Sequence, residues 1–292
     1  MNNFTIDIQN VSKRYGQKRV LDGITLQIPK GSVFGLLGRN GSGKTTLIKT
    51  LLGLIKPDAG LIRALSDEPW RFKEETKSRL GYVPQSDRMY PWLKVKELIS
   101  YTASFYQRWN TELVERLTRE WGLNPDERIS NLSEGQAQML SIILSLGHEP
   151  ELLVFDEPVA SLDPAARRQF LKTILEIVAN RECTVFFSTH ITSDLERVAD
   201  HVAILNQGRA IFSGMLDVLK DSVKKLRVHS SKPLMKDFIL PGALHCEVAG
   251  DCAIVYVKDY SDDVRLQLEK KFEARVEVYD LGLEDIFLEI TR

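Results

Sequence analysis

The chain has 292 residues, with 39 Lys and Arg against 40 Asp and Glu, a net charge of −1. At 43% hydrophobic and 27% charged residues it can build a sizeable core, which excludes a disordered chain and a disulfide-stapled miniprotein. It is not basic enough to bind nucleic acid through bulk electrostatics, and no run reaches the ~18–20 consecutive apolar residues of a membrane helix.

The opening MNNFTIDIQN lacks the basic region and apolar run of a secretory signal. Cys183, Cys246 and Cys252 are odd in number and lack metal-ligand spacing, so a reducing, cytoplasmic compartment is expected. Length over ~150 suggests roughly two domains.

FTIDIQNVSKRYG and RVLDGITLQIPKG alternate apolar residues between Gly punctuation and read as β-structure. Val33–Leu37 reads as a buried strand feeding a Gly-rich turn, then a helix with Leu47, Ile48, Leu51, Leu52 and Ile55 on one face, stopped by Lys56–Gly60. Residues 86–130 read as mainly helical. Leu152–Phe155 and Thr184–Phe187 read as buried strands with a helix over Arg167–Val178 between them, the alternation of a parallel sheet covered by helices. Ala203–Leu205 and Ala210–Phe212 flank Asn206-Gln207-Gly208 as a hairpin.

The style changes near residue 222. Lys225–His229, Leu234–Ile239, His245–Val248, Cys252–Lys258, Asp262–Phe272 and Arg275–Tyr279 read as strand, helix, strand, strand, helix, strand, the ferredoxin-like order. The reading places residues 1–221 in one domain, with a helical subdomain at 86–146, and 222–292 in an accessory α+β module. Cys246 and Cys252 sit across its hairpin and are expected as two buried thiols.

Three segments carry chemistry. Gly38-Arg39-Asn40-Gly41-Ser42-Gly43-Lys44-Thr45 fits G-x-x-x-x-G-K-[ST] between a predicted strand and helix. Glycines let successive N–H groups converge on phosphate oxygens at a helix N-terminus, Lys44 reaches the β- and γ-phosphates, and the Thr45 hydroxyl ligates Mg²⁺. Leu152–Glu157 is an apolar strand ending in two acids, where α/β sheets bind ligands. Asp156 is placed to hold Mg²⁺ and Glu157 to orient or deprotonate water. Leu132-Ser133-Glu134-Gly135-Gln136 precedes a strongly apolar helix. It reads equally as a capping box, needing no ligand, or as a phosphate contact.

Taken together these segments resemble the ATP-binding cassette (ABC) ATPase family. Gly38–Thr45 resembles Walker A, Leu152–Glu157 Walker B, and Leu132–Gln136 the LSGGQ signature, with Glu134 at its third position. Gly81-Tyr82-Val83-Pro84-Gln85 resembles the Q-loop, Ser161-Leu162-Asp163-Pro164 the D-loop, and Ser188-Thr189-His190 the switch-histidine region. Tyr15 sits where the family places an adenine-stacking aromatic. The motifs follow family order over residues 4–220. Met139 and Val159 depart from the usual residues without removing a catalytic group.

The resemblance implies a P-loop α/β cassette that binds and hydrolyses ATP with Mg²⁺. It implies nucleotide contacts from Tyr15, Gly38, Arg39, Asn40, Gly41, Ser42, Gly43, Lys44, Thr45 and Thr46, metal contacts from Thr45, Gln85 and Asp156, and catalytic roles for Glu157, His190, Gln85 and Asp163. Ser133, Gly135 and Gln136 would meet ATP held by a second cassette, because one chain has one of each motif. Most family members of this layout power a separate membrane permease, so a location at the inner face of the membrane is expected. Tyr90-Pro91-Trp92-Leu93 reads as a permease-docking surface or as ordinary subdomain core. Leu283–Leu288 resembles the tail of exporter-type cassettes. The alternative is a soluble ABC ATPase serving an assembly machine.

Overall fold

The protein is described from a computed structural model, covering residues 3–85, 89–181, 183–231, 234 and 242–292. It divides into two compact units, Met1–Ser213 and Gly214–Arg292.

The first unit opens with β1 (Phe4–Tyr15), β2 (Lys18–Pro29), β3 (Val33–Leu37), α1 (Lys44–Leu51) and β4 (Ala59–Ala64). Then come α2 (Glu74–Lys77), β5 (Leu80–Val83), α3 (Val95–Ala103), α4 (Thr111–Glu120), α5 (Glu134–Leu146) and β6 (Leu152–Asp156). It ends with α6 (Pro164–Arg181), β7 (Thr184–Thr189), α7 (Thr192–Val198), β8 (His201–Asn206) and β9 (Arg209–Met215). Strands β2-β1-β4 form an antiparallel sheet. A six-stranded sheet has the order β5-β6-β7-β3-β8-β9, with its first five strands parallel.

Every residue of β3, β6 and β7 is buried. Both faces of a parallel sheet are covered, so its strands are continuous apolar runs with no alternation. Phe34 and Phe186 stack with ring centroids 5.7 Å apart across the β3–β7 pair. Register aligns Leu37 with Thr189 and Asp156 with Ser188, so the carboxyl ends of β3, β6 and β7 finish at one edge. The loops that follow must open there.

Helix α1 ends at Leu51, short of the expected stop at Lys56. Gly53 takes φ +71°, and a Cβ on it would lie 2.5 Å from the Pro69 carbonyl oxygen, so the chain turns where only Gly fits.

Among the helices of residues 89–146, α4 starts on the Asn110 side chain, which accepts a hydrogen bond from Leu113 N–H at 2.8 Å. The expected helical region also includes residues 86–88, which lie outside the described residues. Just beyond α5, His148 stacks on Tyr106 at 4.1 Å, and its Nε2–H donates to the Leu80 carbonyl at 3.1 Å.

The second unit comprises α8 (Leu216–Ser222), β10 (Lys224–Ser230), β11 (Ala243–Ala249), β12 (Cys252–Val257), α9 (Asp262–Phe272), β13 (Ala274–Asp280) and α10 (Leu283–Ile290). Its antiparallel sheet runs β11-β12-β10-β13, the ferredoxin-like arrangement. Of the helix expected at Leu234–Ile239, residues 235–239 lie outside the described residues. Leu226, Val228, Val255, Leu268 and Val276 form the module's own core.

The two cysteines do not face each other. Cys252 pairs with Ala249 and Cys246 with Val255. Positions of opposite parity on one strand pair project to opposite faces. Cys246 packs against the core, and Cys252 points to the other side.

Burial pushes the His148 imidazole down from its ordinary 6.5 to about 4. The unfolded chain takes up a proton that the folded chain refuses. The stability present above pH 6.5 is therefore lost progressively as pH falls toward 4, and no further below it, by about 3 kcal/mol in all. Denaturant unfolding across this window should show that loss, and His148→Gln should flatten it.

Candidate functional site

The turn after β3 is built for an anion. Gly41 and Gly43 take φ of +80° and +110°. A Cβ at Gly38 would lie 2.5 Å from Ser42 Oγ and 2.7 Å from the Leu205 carbonyl oxygen, so the loop closes only around Gly. Gly43 precedes α1 without a side-chain cap, and the first turn of α1 carries no acid. The N–H groups of that turn and the positive dipole end are left for an outside acceptor. The buried Ser42 hydroxyl also has no hydrogen-bond partner.

Lys44 is 5% exposed although charged. Its Nζ donates to the Gly38 carbonyl at 2.7 Å and lies 3.0 Å from Glu157 Oε1. Glu157 Oε2 accepts from His190 Nδ1–H at 2.7 Å. One carboxylate, 6% exposed, thus spans the lysine on α1 and the histidine after β7.

Glu157 adopts φ +54°, a region uncommon for a residue with a side chain. Its N–H donates to the Ser188 carbonyl and to Ser188 Oγ, both at 3.1 Å, which holds this geometry in place. Ser188 Oγ in turn donates to Asp156 Oδ1 at 2.7 Å. Asp156 is 1% exposed. The structure therefore brings together Gly38, Gly41, Ser42, Gly43, Lys44, Thr45, Asp156, Glu157 and His190 at one sheet edge. Arg39 and Asn40 are exposed on the loop, and Thr45 and Thr46 are half-buried in the first turn of α1. Ser188 is the residue whose part spacing could not reveal: an apolar strand ending in Ser is ordinary, and only register puts it beside two acids.

The other motif residues lie on separate elements. Tyr15 is 48% exposed at the β1–β2 hairpin, with the Lys13 ammonium 5.8 Å from its ring centre. Gln85 is exposed just past β5. Ser133 caps α5: its Oγ accepts from Gln136 N–H at 3.2 Å while Gln136 Oε1 accepts from Ser133 N–H at 3.0 Å. Of the two readings of this segment, the capping box is the one formed within the chain. A Cβ at Gly135 would lie 3.1 Å from the Ser161 carbonyl oxygen, which sets the signature beside the D-loop. Asp163 Oδ1 accepts from the N–H groups of Ala166 and Ala165, and these bonds hold its carboxyl below the usual range.

Residues 21–160 match the ABC transporter family. Across 98% of this chain and 96% of its own length, the Nod factor export ATP-binding protein I of Burkholderia lata is 32% identical. The chain belongs to the ABC transporter family.

This cassette is an ATP-binding subunit of an ABC transporter and an ATPase. A solved ATP-binding subunit of an ABC transporter matches 74% of this chain and 92% of its own, at 29% identity and TM-score 0.68. The dimeric cassette MJ0796 with ADP and phosphate, in a post-hydrolysis state, shares the fold at TM-score 0.65 and 20% identity, over 72% of this chain and 98% of its own. The Burkholderia lata export protein and the solved ABC transporter subunit support the transport reading over the alternative of a soluble assembly ATPase. The cassette's three departures are mild: Val159 is buried as part of the core, Met139 is half-buried on α5, and Glu134 is exposed in its first turn.

Ser188→Ala should strip Asp156 and the Glu157 N–H of a buried partner. Chemical denaturation should show a loss of about 1–3 kcal/mol, and steady-state hydrolysis should fall with it.

Proposed function

We propose that this cassette pairs head-to-tail with a second cassette, so that ATP held by Lys44 of one is met by the signature of the other, and that the pair drives a separate membrane permease. The observation that carries this is the division of labour within one chain. The anion-ready, uncapped α1 with Lys44 lies at one sheet edge, while Ser133 stands exposed at the start of another helix. ATP bridging two chains favours the joined state and hydrolysis removes the bridge.

Within the site, the Lys44 ammonium and the α1 N–H groups take the β- and γ-phosphates. An incoming γ-phosphate competes with Glu157 for Lys44, which frees the carboxylate to orient water. His190 contacts the phosphate, Asp163 positions its neighbours across the interface, and the exposed ring of Tyr15 stacks on adenine. Mg²⁺ fits the donor set: the Asp156 carboxylate, the Thr45 hydroxyl and the Gln85 amide are hard oxygen ligands. Among the described residues no group of three His, Cys, Asp or Glu forms a metal cage, in keeping with an ion held mainly by phosphate and water. Bound there, Mg²⁺ neutralises charge on the phosphates.

Among the described residues no helix is long and apolar enough to cross a membrane, so contact with one runs through the permease. Tyr90, Trp92, Tyr101 and Phe105 are 44–66% exposed and touch edge-to-face in a chain, with centroids 5.0–5.6 Å apart. An exposed aromatic patch of this size marks an interaction surface. It includes part of the segment after Gln85 and is the proposed permease-docking face. The near-full-length likeness to an export protein favours an exporter.

Glu157→Gln should keep ATP affinity, lower turnover by roughly 10²-fold or more, and yield an ATP-bound dimer on size-exclusion chromatography. Near-normal turnover would refute the assignment of Glu157. Lys44→Ala should abolish or strongly weaken nucleotide binding by calorimetry. Trp92→Ser should lower co-purification with its permease in detergent; unchanged recovery would move the docking face elsewhere.

A further inference from the structure

The ferredoxin-like module carries a nucleophile cluster that ATP chemistry does not use. On the sheet face away from its core lie Lys225, Arg227 and His229 of β10 with Cys252 and Ile254 of β12. His229 sits directly opposite Cys252 in the β10–β12 pairing. The Cys252 sulfur is 3.1 Å from His229 Nδ1. Arg227 lies on the same face, opposite Ile254 of β12 and Glu277 of β13. Beside them opens a cavity of about 700 Å³, lined by Lys225, Arg227, Cys252, Tyr279, Glu247 and Asp285 among others.

A thiol with an imidazole base at hydrogen-bond distance and a cation on the same sheet face has the parts of an activated nucleophile. Cys183 is 1% exposed, and burial pushes the inward-facing Cys246 thiol up, which keeps it protonated. The cavity is lined by two cations and three acids, and one acid, Asp280, already holds Lys224 at 2.7 Å. The two cations and two acids that remain suit a zwitterionic peptide: its carboxylates meet Lys225 and Arg227, its ammonium groups Glu247 and Asp285.

We propose that Cys252 is a thiol–disulfide exchange site that takes a small zwitterionic disulfide of the glutathione class from this cavity. His229 accepts the thiol proton. The Cys252 sulfur attacks one sulfur of the disulfide, a bond forms between them, and the original S–S bond breaks. The departing thiolate takes the proton from His229 and leaves as a thiol. Cys252 is oxidised to the mixed disulfide and half of the reagent is reduced, so no further oxidant enters.

The test exposes the full chain to oxidised glutathione and follows adducts by intact mass and peptide mapping. One adduct at Cys252, formed about tenfold faster than on an unstructured cysteine peptide, supports the proposal. In His229→Gln and Arg227→Gln, each with an unchanged melting temperature, that rate should drop roughly fivefold. An adduct on Cys246 or Cys183 instead, no adduct, or an unchanged rate in His229→Gln overturns it. A second measurement needs no variant. Wild-type Cys252 should prefer oxidised glutathione over neutral iodoacetamide by several-fold more than the free peptide does, and an equal preference overturns the cavity's part.

Discussion

The Glu157 carboxylate, held between Lys44 and His190, is the interaction on which the rest of the cassette depends. A buried charge is tolerable only when it is paired and hydrogen-bonded. Here the lysine arrives on the helix after one strand, the acid after a second and the histidine after a third. Parallel strands in one register are what make the three ends coincide, and Ser188 locks the acid into a backbone conformation it would not choose unaided. Such a trio contributes little net stability, because desolvation offsets most of the attraction. In the proposed function its value is poise: Lys44 and His190 are held by a carboxylate that an arriving phosphate would replace.

Much of this was legible in the chain. Gly38–Thr45 announces its geometry because only Gly tolerates the backbone that such a loop needs, and the two acids after Leu152–Phe155, commonplace by themselves, become informative beside it. The helix Asp262–Phe272 falls over the residues read for it, since its apolar period and flanking turns leave no competing solution. What stayed hidden depends on contacts far apart in sequence. The end of α1 is set by Gly53, whose left-handed turn against Pro69 overrides the apolar period that runs on to Ile55. The positive φ of Glu157 and the bridging part of Ser188 follow from register between β6 and β7. Two buried thiols are expected across the hairpin, yet Cys246 and Cys252 are only half-buried, and the parity of the strand pair sends them to opposite faces.

The same parity gives the module two unlike sides. One is a small apolar core closed by α9. The other is a sheet surface of Lys, Arg, His, Tyr and Cys side chains that folding alone does not require, since the core is complete without it. Polar and ionisable groups gathered on an open sheet face are where a fold carries work added to its scaffold.

The capping box at Ser133 has a consequence for the cycle. The Ser133 hydroxyl serves the first turn of its own helix only as an acceptor, which leaves its O–H proton to donate to a phosphate across an interface. The contact adds a hydrogen bond to a charged acceptor, worth about 1.5–3 kcal/mol, without breaking the cap. In the proposed pair the clasp is therefore made without loosening the helix that offers it, and the nucleotide supplies the bridge between the chains. A latch of this kind lets go when its bolt is cut, and the helix it leaves behind is already capped and ready to close again.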